Sequence, residues 1–219
     1  MTLEEFTAQI NATTFWKEFT FSHTKFSPPA RSEVELADGL VKIGSLAFVF
    51  QMKERNDETT DPAQERKWFG KKVLGKAVSQ IKDSLQYLRD HARIELTNDQ
   101  GHTFRIEGSE LKDIKKVVVF LAGRSLPDDC WRTKYHVSET AGFIHVVASH
   151  DYLGILEKLR VPDDIRLYFE YRESVLPRLE AANVVVEEPD IMVGFLLEMD
   201  LPEPGSIGKL RYLVQDMDQ

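Results

Sequence analysis

Three polar side chains stand out in residues 34–55, VELADGLVKIGSLAFVFQMKER, a segment otherwise typical of two apolar strands. Asp38 precedes Gln51 by thirteen residues, and Gln51 precedes Lys53 by two. Side chains alternate between the two faces of a strand, so Gln51 and Lys53 point to the same side. If the strands pair around a turn at Gly44, Asp38 lies beside both, and a carboxylate, an amide and an ammonium converge at one place.

Such a group suits metal-assisted attack on a phosphate ester. Carboxylate and amide oxygens are hard ligands that Mg²⁺ accepts while it keeps several waters. A bound metal can lower the pKa of a water molecule and neutralise charge on the phosphate. A nearby lysine can orient or deprotonate the attacking water, or stabilise the negative transition state.

The elements that must position these groups are typical of an α/β layered domain. Apolar spacing and turn residues predict them along the chain. In order they are a helix over 3–19, strands over 33–43 and 46–53, a polar loop over 55–64, a long helix with apolar residues at every fourth position from 69 to 85, a hairpin over 94–106 and a buried strand over 117–121. After residue 123 we predict a strand over 143–148, helices over 149–160 and 165–180, and a short strand over 184–186.

Asp38 followed by Gln51-Met52-Lys53, within that order of elements, resembles the PD-(D/E)XK nuclease superfamily, the fold of many restriction endonucleases. The core of that family runs helix, three-strand meander, helix and strand. Its signature is an Asp followed by Glu, Asp or Gln two residues before a Lys on the next strand. The resemblance covers residues 1–125 and implies a restriction endonuclease-like mixed central sheet flanked by helices. Residues 126–219 have no counterpart in it and are predicted to form an acidic α/β extension, separate or packed on the core as one domain.

Carried onto this chain, the resemblance implies that Asp38 is a metal carboxylate, Gln51 stands in place of the second acidic ligand, and Lys53 is the catalytic lysine. It implies Mg²⁺ or Mn²⁺ as the cofactor, DNA as the partner and hydrolysis of phosphodiester bonds as the activity, in defence or repair. The chain departs from the family pattern at two positions. Ala37 stands where a proline often precedes the Asp, and Gln51 removes one negative charge, which weakens the expected affinity for a metal.

Many members of the family add a glutamate from the first helix or from the strand before the Asp. Glu35 joins Asp38 and Gln51 in the expected ligand set, with Glu33 and Glu18 as open alternatives. Glu35 lies three residues before Asp38, so a regular strand would turn the two side chains to opposite faces. A bulge or a bend at that point is therefore required to bring them together.

The long helix begins with a basic stretch, RKWFGKKVLGK over 66–76. In a nuclease of this class Lys71, Lys72 and Lys76 would lie near the cleft and contact phosphates. The alternative is a solvated helix face whose apolar residues turn into the core. Gln80, further along the same helix, is a candidate to support the site.

The chain has 219 residues, one cysteine and a net charge of −8. No uncharged apolar run reaches the roughly 18 residues that a membrane span requires, and the N-terminus lacks the basic and apolar regions of a signal peptide. Residues 1–124 hold 19 lysines and arginines against 18 acids, whereas the remainder hold 9 against 18. We expect a cytoplasmic protein without a membrane partner, whose near-neutral N-terminal part could still contact phosphates.

Two other interpretations stay open on the sequence. A protein on the same fold without catalysis would act as a binding or regulatory partner, and the missing second acid favours this. An unrelated α/β protein would use Asp38 and Lys53 as a surface ion pair. Residues 126–219 could form a dimerisation layer that makes a homodimer, a specificity element or an extension of the core sheet.

Overall fold

The computed structural model describes residues 1–28, 33–57, 59–199 and 201, which form a mixed α/β structure with a six-stranded sheet flanked by helices. Contacts within the chain divide it into two units, Met1–Leu156 and Glu157–Gln219. The elements of the first unit are α1 (Leu3–Thr14), β1 (Thr20–Phe21), β2 (Lys25–Phe26), β3 (Val34–Glu35), β4 (Gly39–Ile43), β5 (Leu46–Glu54), α2 (Pro62–Trp68), a π-helical segment (Phe69–Ala77), α3 (Val78–Asp90), β6 (Ile94–Thr97), β7 (Thr103–Ile106), a 3₁₀ turn (Gly108–Glu110), β8 (Asp113–Leu121), α4 (Asp128–Trp131), β9 (Tyr135–Ser138), β10 (Gly142–Ala148) and most of α5 (Ser149–Lys158).

The central sheet has the strand order β1-β4-β5-β8-β10-β9. β1, β4 and β5 are antiparallel neighbours, while β8 runs parallel to β5 and β10 runs parallel to β8. β4 and β5 are joined by the predicted two-residue turn, in which Gly44 adopts a φ of 59° that glycine reaches without strain. This meander places the start of β4 beside the end of β5.

β5 separates two buried layers, as the alternation of its side chains predicts. On one face Phe48 packs against Phe15 with tilted rings whose centroids are 5.4 Å apart, and Phe50 packs edge-to-face against Tyr152 at 5.6 Å. On the other face Val49 belongs to the main apolar cluster beneath the long helix. Parallel strands covered on both faces are apolar almost throughout, which explains the burial of β5 and β8.

The long helix is not α-helical throughout, because the segment Phe69–Ala77 is a π-helix. Residues four apart drift around an α-helix of 3.6 residues per turn. The i→i+5 bonds of a π-helix widen each turn, so Phe69, Val73 and Ala77 all stay against the core. In α3 the buried stripe shifts to Ile81, Ser84 and Leu88, as ordinary α-helical geometry requires. The unbroken four-residue spacing in the sequence thus corresponds to a local change in helix type.

α1 is shorter than the predicted helix over 3–19. It begins with a capping box between Thr2 and Glu5 and ends at Thr14. Phe15 caps it and is fully buried, while Trp16 adopts a φ of 60°, a left-handed conformation that ends a helix and that glycine usually supplies. Residues 15–19 therefore form a turn in which Phe15 is buried and Trp16 is exposed, rather than a continued helix.

The described part of the second unit contains α6 (Pro162–Ala181) and α7 (Glu188–Leu196). The fully buried Arg172 of α6 pairs with Glu188 of α7, with 3.0 Å between Nε and Oε1, and the Tyr168 hydroxyl donates to the same carboxylate at 2.6 Å. The strand predicted over 184–186 is wrong, because these residues form an irregular connection between the two helices.

The helices in the described ranges include none that is long and apolar enough to cross a membrane.

Candidate active site

A bend before β4 fixes the position of Asp38. The predicted strand over 33–43 is interrupted there, because Val34–Glu35 pairs with β2 in a separate two-stranded sheet. The buried Thr24 hydroxyl bonds both the N–H and the C=O of Ala37, and the Ser84 hydroxyl donates to the C=O of Leu36 at 2.5 Å. These bonds satisfy the backbone groups that the bend removes from the ladder. The bend required between Glu35 and Asp38 is therefore present.

Asp38 and Lys53 meet across the paired strands. Lys53 Nζ lies 3.1 Å from Asp38 Oδ2, and the same oxygen accepts from the Met52 N–H at 2.6 Å. Lys53 Nζ also donates to the Met52 carbonyl at 2.6 Å. The two side chains are only 8% and 12% exposed, so this is not the solvated surface pair of the unrelated-protein interpretation.

The buried Gln51 amide faces the same carboxylate. In the orientation that satisfies its hydrogen bonds, its nitrogen donates to both Asp38 oxygens at 3.1 Å and to Gln80 Oε1 at 3.3 Å. The opposite orientation would set the Gln51 oxygen against three acceptor oxygens, which only a cation could stabilise. In the structure the amide is thus a donor to Asp38. The structure also places Gln80 beside the site, where the sequence had made it a supporting candidate.

Glu4, in the first turn of α1, lines the same cavity as Lys53 and is not among the glutamates considered from the sequence. Its pKa is raised, first by partial burial, then by repulsion from Asp38 and Glu35, with Lys53 acting in the opposite direction. The carboxylate therefore lies within the electrostatic field of the Asp38–Lys53 pair. A sequence signal existed, because an acid at the start of a first helix matches the family's additional glutamate.

Of the three glutamates considered from the sequence, two pair with other residues and one is exposed near Asp38. Glu18 lies outside α1 and pairs with His102 at 3.2 Å, and Glu33 pairs with Lys25 at 3.7 Å. Glu35 is exposed in β3 and contributes to the electrostatics of Glu4. Of the three, Glu35 is therefore the one whose charge reaches the site.

A cavity of about 530 Å³ opens beside Lys53 at the end of β5. Its wall joins the beginning of α1, the end of β5 and the start of the long helix. The lining residues are Thr2, Leu3, Glu4, Met52, Lys53, Glu54, Arg55, Asn56, Asp57, Trp68, Lys72 and Lys76. Two of the three lysines predicted to meet phosphates, Lys72 and Lys76, thus face this space, and Lys71 is not part of its wall.

Two carboxylate contacts, one half-buried and one buried, stabilise this wall. Glu54 accepts from the Leu3 N–H at 2.9 Å, which ties the beginning of α1 to the end of β5. Glu65, fully buried in α2, accepts from Arg55 Nε at 2.8 Å and fixes the guanidinium of Arg55. A charge-assisted bond of this kind orients the rest of a long side chain.

The donor groups at the site suit Mg²⁺ better than a softer metal. Within the part of the chain that the structure describes, no three histidine, cysteine, aspartate or glutamate side chains converge closely enough to hold a metal ion. The charge of Asp38 raises the pKa of Glu4, the Gln51 amide bonds the Asp38 carboxylate, and Lys53 donates both to Asp38 and to the Met52 carbonyl. Mg²⁺ commonly uses one or two carboxylates and completes its shell with water. The donors present are oxygens of the kind that this ion accepts.

Comparison with protein-family models, with curated proteins and with solved structures found no match for this chain. The interpretation of the site therefore depends on its own geometry, together with the resemblance carried by Asp38, Gln51 and Lys53.

Proposed function

We propose that this protein is a metal-dependent nuclease on a restriction endonuclease-like fold, and that it hydrolyses phosphodiester bonds of DNA. The observation that carries the proposal is the 3.1 Å contact between Asp38 and Lys53, beside Gln51 and on the wall of a cavity that also presents Lys72 and Lys76. The order of α1, the β1-β4-β5 meander, the long helix and the parallel β8 supports the fold assignment, because it repeats the order of the PD-(D/E)XK core.

In this proposal Lys53 is the side chain that acts on the attacking water. Its ammonium orients or deprotonates that water and stabilises the charge that develops on the phosphate. Asp38 holds Lys53 in place, and the Met52 N–H fixes the Asp38 carboxylate in turn. Two rigid paired strands therefore hold these groups, which favours a fixed reactive geometry.

Mg²⁺ or Mn²⁺ would be held by Asp38 and Glu4, with the Gln51 oxygen as a neutral third ligand. When bound, the ion lowers the pKa of a coordinated water and neutralises phosphate charge. Glu4 is preferred over Glu35 as the additional acid because both Asp38 and Lys53 act on its carboxylate.

The test is cleavage of plasmid and of single-stranded DNA by the purified protein with Mg²⁺ or Mn²⁺. We expect Lys53→Met to lower the cleavage rate about 10²- to 10⁴-fold, the range for loss of a general acid–base group. Asp38→Ala should also abolish cleavage because it removes a metal ligand. Lys82→Met, on an exposed position of α3, is the charge-matched control and should cleave normally. Cleavage that survives both Lys53→Met and Asp38→Ala would refute the proposal.

A catalytically inactive binding or regulatory protein on the same fold is the second candidate function. It is favoured by Gln51 at the position of an acid and by the donors that already occupy Asp38, namely the Met52 N–H, Lys53 and Gln51. Calorimetric titration with Mn²⁺ separates the two. The nuclease requires cation binding that Asp38→Ala removes, whereas the inactive protein shows neither cation binding nor cleavage.

A further inference from the structure

We propose that the cavity at the end of β5 binds single-stranded DNA, with one base stacked on Trp68 and adjacent phosphates bound by Lys72 and Lys76. This binding mode rests on the proposed nuclease function and specifies the strand state of its substrate.

Trp68 has the environment of a stacking platform. It is the last residue of α2, is half-buried against the apolar core, and lines the cavity. Among the residues the structure describes, no aromatic ring packs on Trp68, whereas Trp16 pairs with Phe19 and Trp131 with Phe120. An indole anchored by the core and facing a cavity offers its ring to a base.

Lys72 and Lys76 are the cations at this wall that remain available to a ligand. Both are exposed, and the described part of the chain gives neither an ion pair nor a hydrogen bond. Lys53 and Arg55, by contrast, are held by Asp38 and Glu65.

Spacing brings these groups onto one side of the helix. Trp68, Lys72 and Lys76 lie four residues apart along the junction of α2 and the π-helical segment, and all three line the same cavity. An aromatic platform followed by two cations is the arrangement with which proteins bind a strand by stacking and by phosphate contacts.

The strand must be single because an indole can stack only on a base that is not already stacked in a duplex. Pockets of about 300–1,000 Å³ accept drug-sized ligands. A cavity of about 530 Å³ is accordingly of the size for a nucleotide unit and not for a length of duplex. The net charge of −8 adds no general attraction for DNA, so binding depends on this local cluster.

The test follows tryptophan fluorescence during titration with an eight-nucleotide thymidine oligomer in EDTA, so that no cleavage occurs. The Trp16→Phe/Trp131→Phe variant retains only Trp68, and the Trp68→Phe/Trp131→Phe variant retains only Trp16. We expect quenching in the first variant and none in the second. Quenching of Trp16 alone, or of neither residue while the oligomer binds, would overturn the proposal.

Affinities measured by fluorescence anisotropy give a second readout. Trp68→Leu should weaken binding of the oligomer about 5- to 150-fold, the range for loss of one stacked base. Trp16→Leu is the matched control and should bind as the unaltered protein does. A blunt duplex of the same length should bind at least about tenfold more weakly than the oligomer, since its bases are already stacked. Equal affinity for the two forms, or an unchanged affinity in a Trp68→Leu protein with a native circular dichroism spectrum, would overturn the proposal.

The lysines are tested through salt dependence. Lys72→Gln and Lys76→Gln should each reduce the slope of log affinity against log salt by about 0.7, the value per phosphate contact on a single strand. An unchanged slope in both variants would overturn their role.

Lys53→Met separates this proposal from the catalytic one. If that variant loses cleavage and still binds the oligomer with quenching of Trp68, both proposals hold. Binding with quenching by a protein that never cleaves DNA would support this binding mode and refute the nuclease function. Cleavage that is unaffected by Trp68→Leu would support the nuclease function and refute this binding mode.

Discussion

Two ion pairs in this protein have similar lengths and opposite surroundings. Lys53 and Asp38 are 3.1 Å apart at the end of β5, and Arg172 and Glu188 are 3.0 Å apart between α6 and α7. The second pair is sealed, with 0% and 4% of its side chains exposed, and Tyr168 adds a hydrogen bond. The first pair retains 12% and 8% exposure, and Lys53 lines a cavity.

The two pairs differ in their surroundings and not in their length, and the nuclease proposal assigns chemistry only to the pair at the cavity. A sealed pair that a buried tyrosine hydroxyl also bonds holds two helices together and can do little else. A pair on a cavity wall, next to a reorientable amide and a second carboxylate, can change partners when a cation or a phosphate enters. The predictions below sharpen or break this distinction.

The largest stability effect is expected for Arg172→Ala. Loss of one partner leaves Glu188 buried without its charge complement, which costs about 3–5 kcal/mol of unfolding free energy. Urea denaturation followed by circular dichroism measures this cost.

The double variant Arg172→Met/Glu188→Leu is the control for that measurement. It should recover most of the loss, because apolar side chains of similar volume replace both charges. DNA cleavage by the folded fraction of either variant should be unchanged. A selective loss of cleavage with intact stability would break the distinction between the two pairs.

Asp38→Ala should lower the unfolding free energy by less, about 1–3 kcal/mol. This cost arises because the Met52 N–H and the Gln51 amide lose their acceptor. Lys53 can turn toward solvent in the cavity, which limits the penalty. Asp57→Ala, a change at an exposed carboxylate of the same cavity, should stay within about 0.5 kcal/mol. If Asp38→Ala lowers the unfolding free energy as much as Arg172→Ala does, the Asp38–Lys53 pair stabilises the fold to the same degree as the Arg172–Glu188 pair, and the distinction between them fails.

Gln51→Glu tests whether the site is short of one acid. A carboxylate in place of the amide should strengthen Mn²⁺ binding about tenfold, because affinity rises with the number of charged ligands. Without metal the same change should lower stability, because two carboxylates then face each other. Gln9→Glu adds an equal charge on an exposed position of α1 and serves as the control in calorimetric titration. Unchanged Mn²⁺ affinity in Gln51→Glu would contradict a metal site at Asp38.

The smallest effect is expected for Glu4→Gln and depends on pH. The folded-state pKa of Glu4 is raised above its ordinary value near 4.5, by burial first and then by Asp38 and Glu35. A carboxyl with a raised pKa contributes its stability below the unfolded-state value and loses it as the pH rises through the folded-state value. Glu4→Gln should therefore melt slightly higher than the unaltered protein at pH 7 and equally at pH 3.

Thermal melts at the two pH values check this, with Glu139→Gln in the exposed turn after β9 as the control. Added Mg²⁺ should remove the advantage of Glu4→Gln, because only the unaltered protein gains a stabilising ligand. An equal benefit at both pH values would exclude electrostatic repulsion as its cause.

Much of the frame around the site could be predicted from local patterns. The hairpin around Gly44, the strand over 117–121 and the helix over 165–180 follow from turn residues and apolar patterns that act over a few residues. The prediction that the first helix continues to residue 19 and the prediction of a strand over 184–186 were wrong. Phe15 and Val186 are buried there without regular secondary structure, while Trp16 and Val185 are exposed, and no local period can indicate either outcome.

The sequence by itself determined the alternation that sets Gln51 and Lys53 on one face of β5 and the short turn that returns Asp38 to them, because both are properties of neighbouring residues. Only the tertiary structure decided that Glu4, rather than Glu18 or Glu33, carries its charge into the site, and that Trp68, Lys72 and Lys76 share a cavity with Lys53. The physical reason is distance along the chain. These side chains meet because whole elements pack on both faces of a sheet, and that packing depends on the summed burial of many residues rather than on any motif.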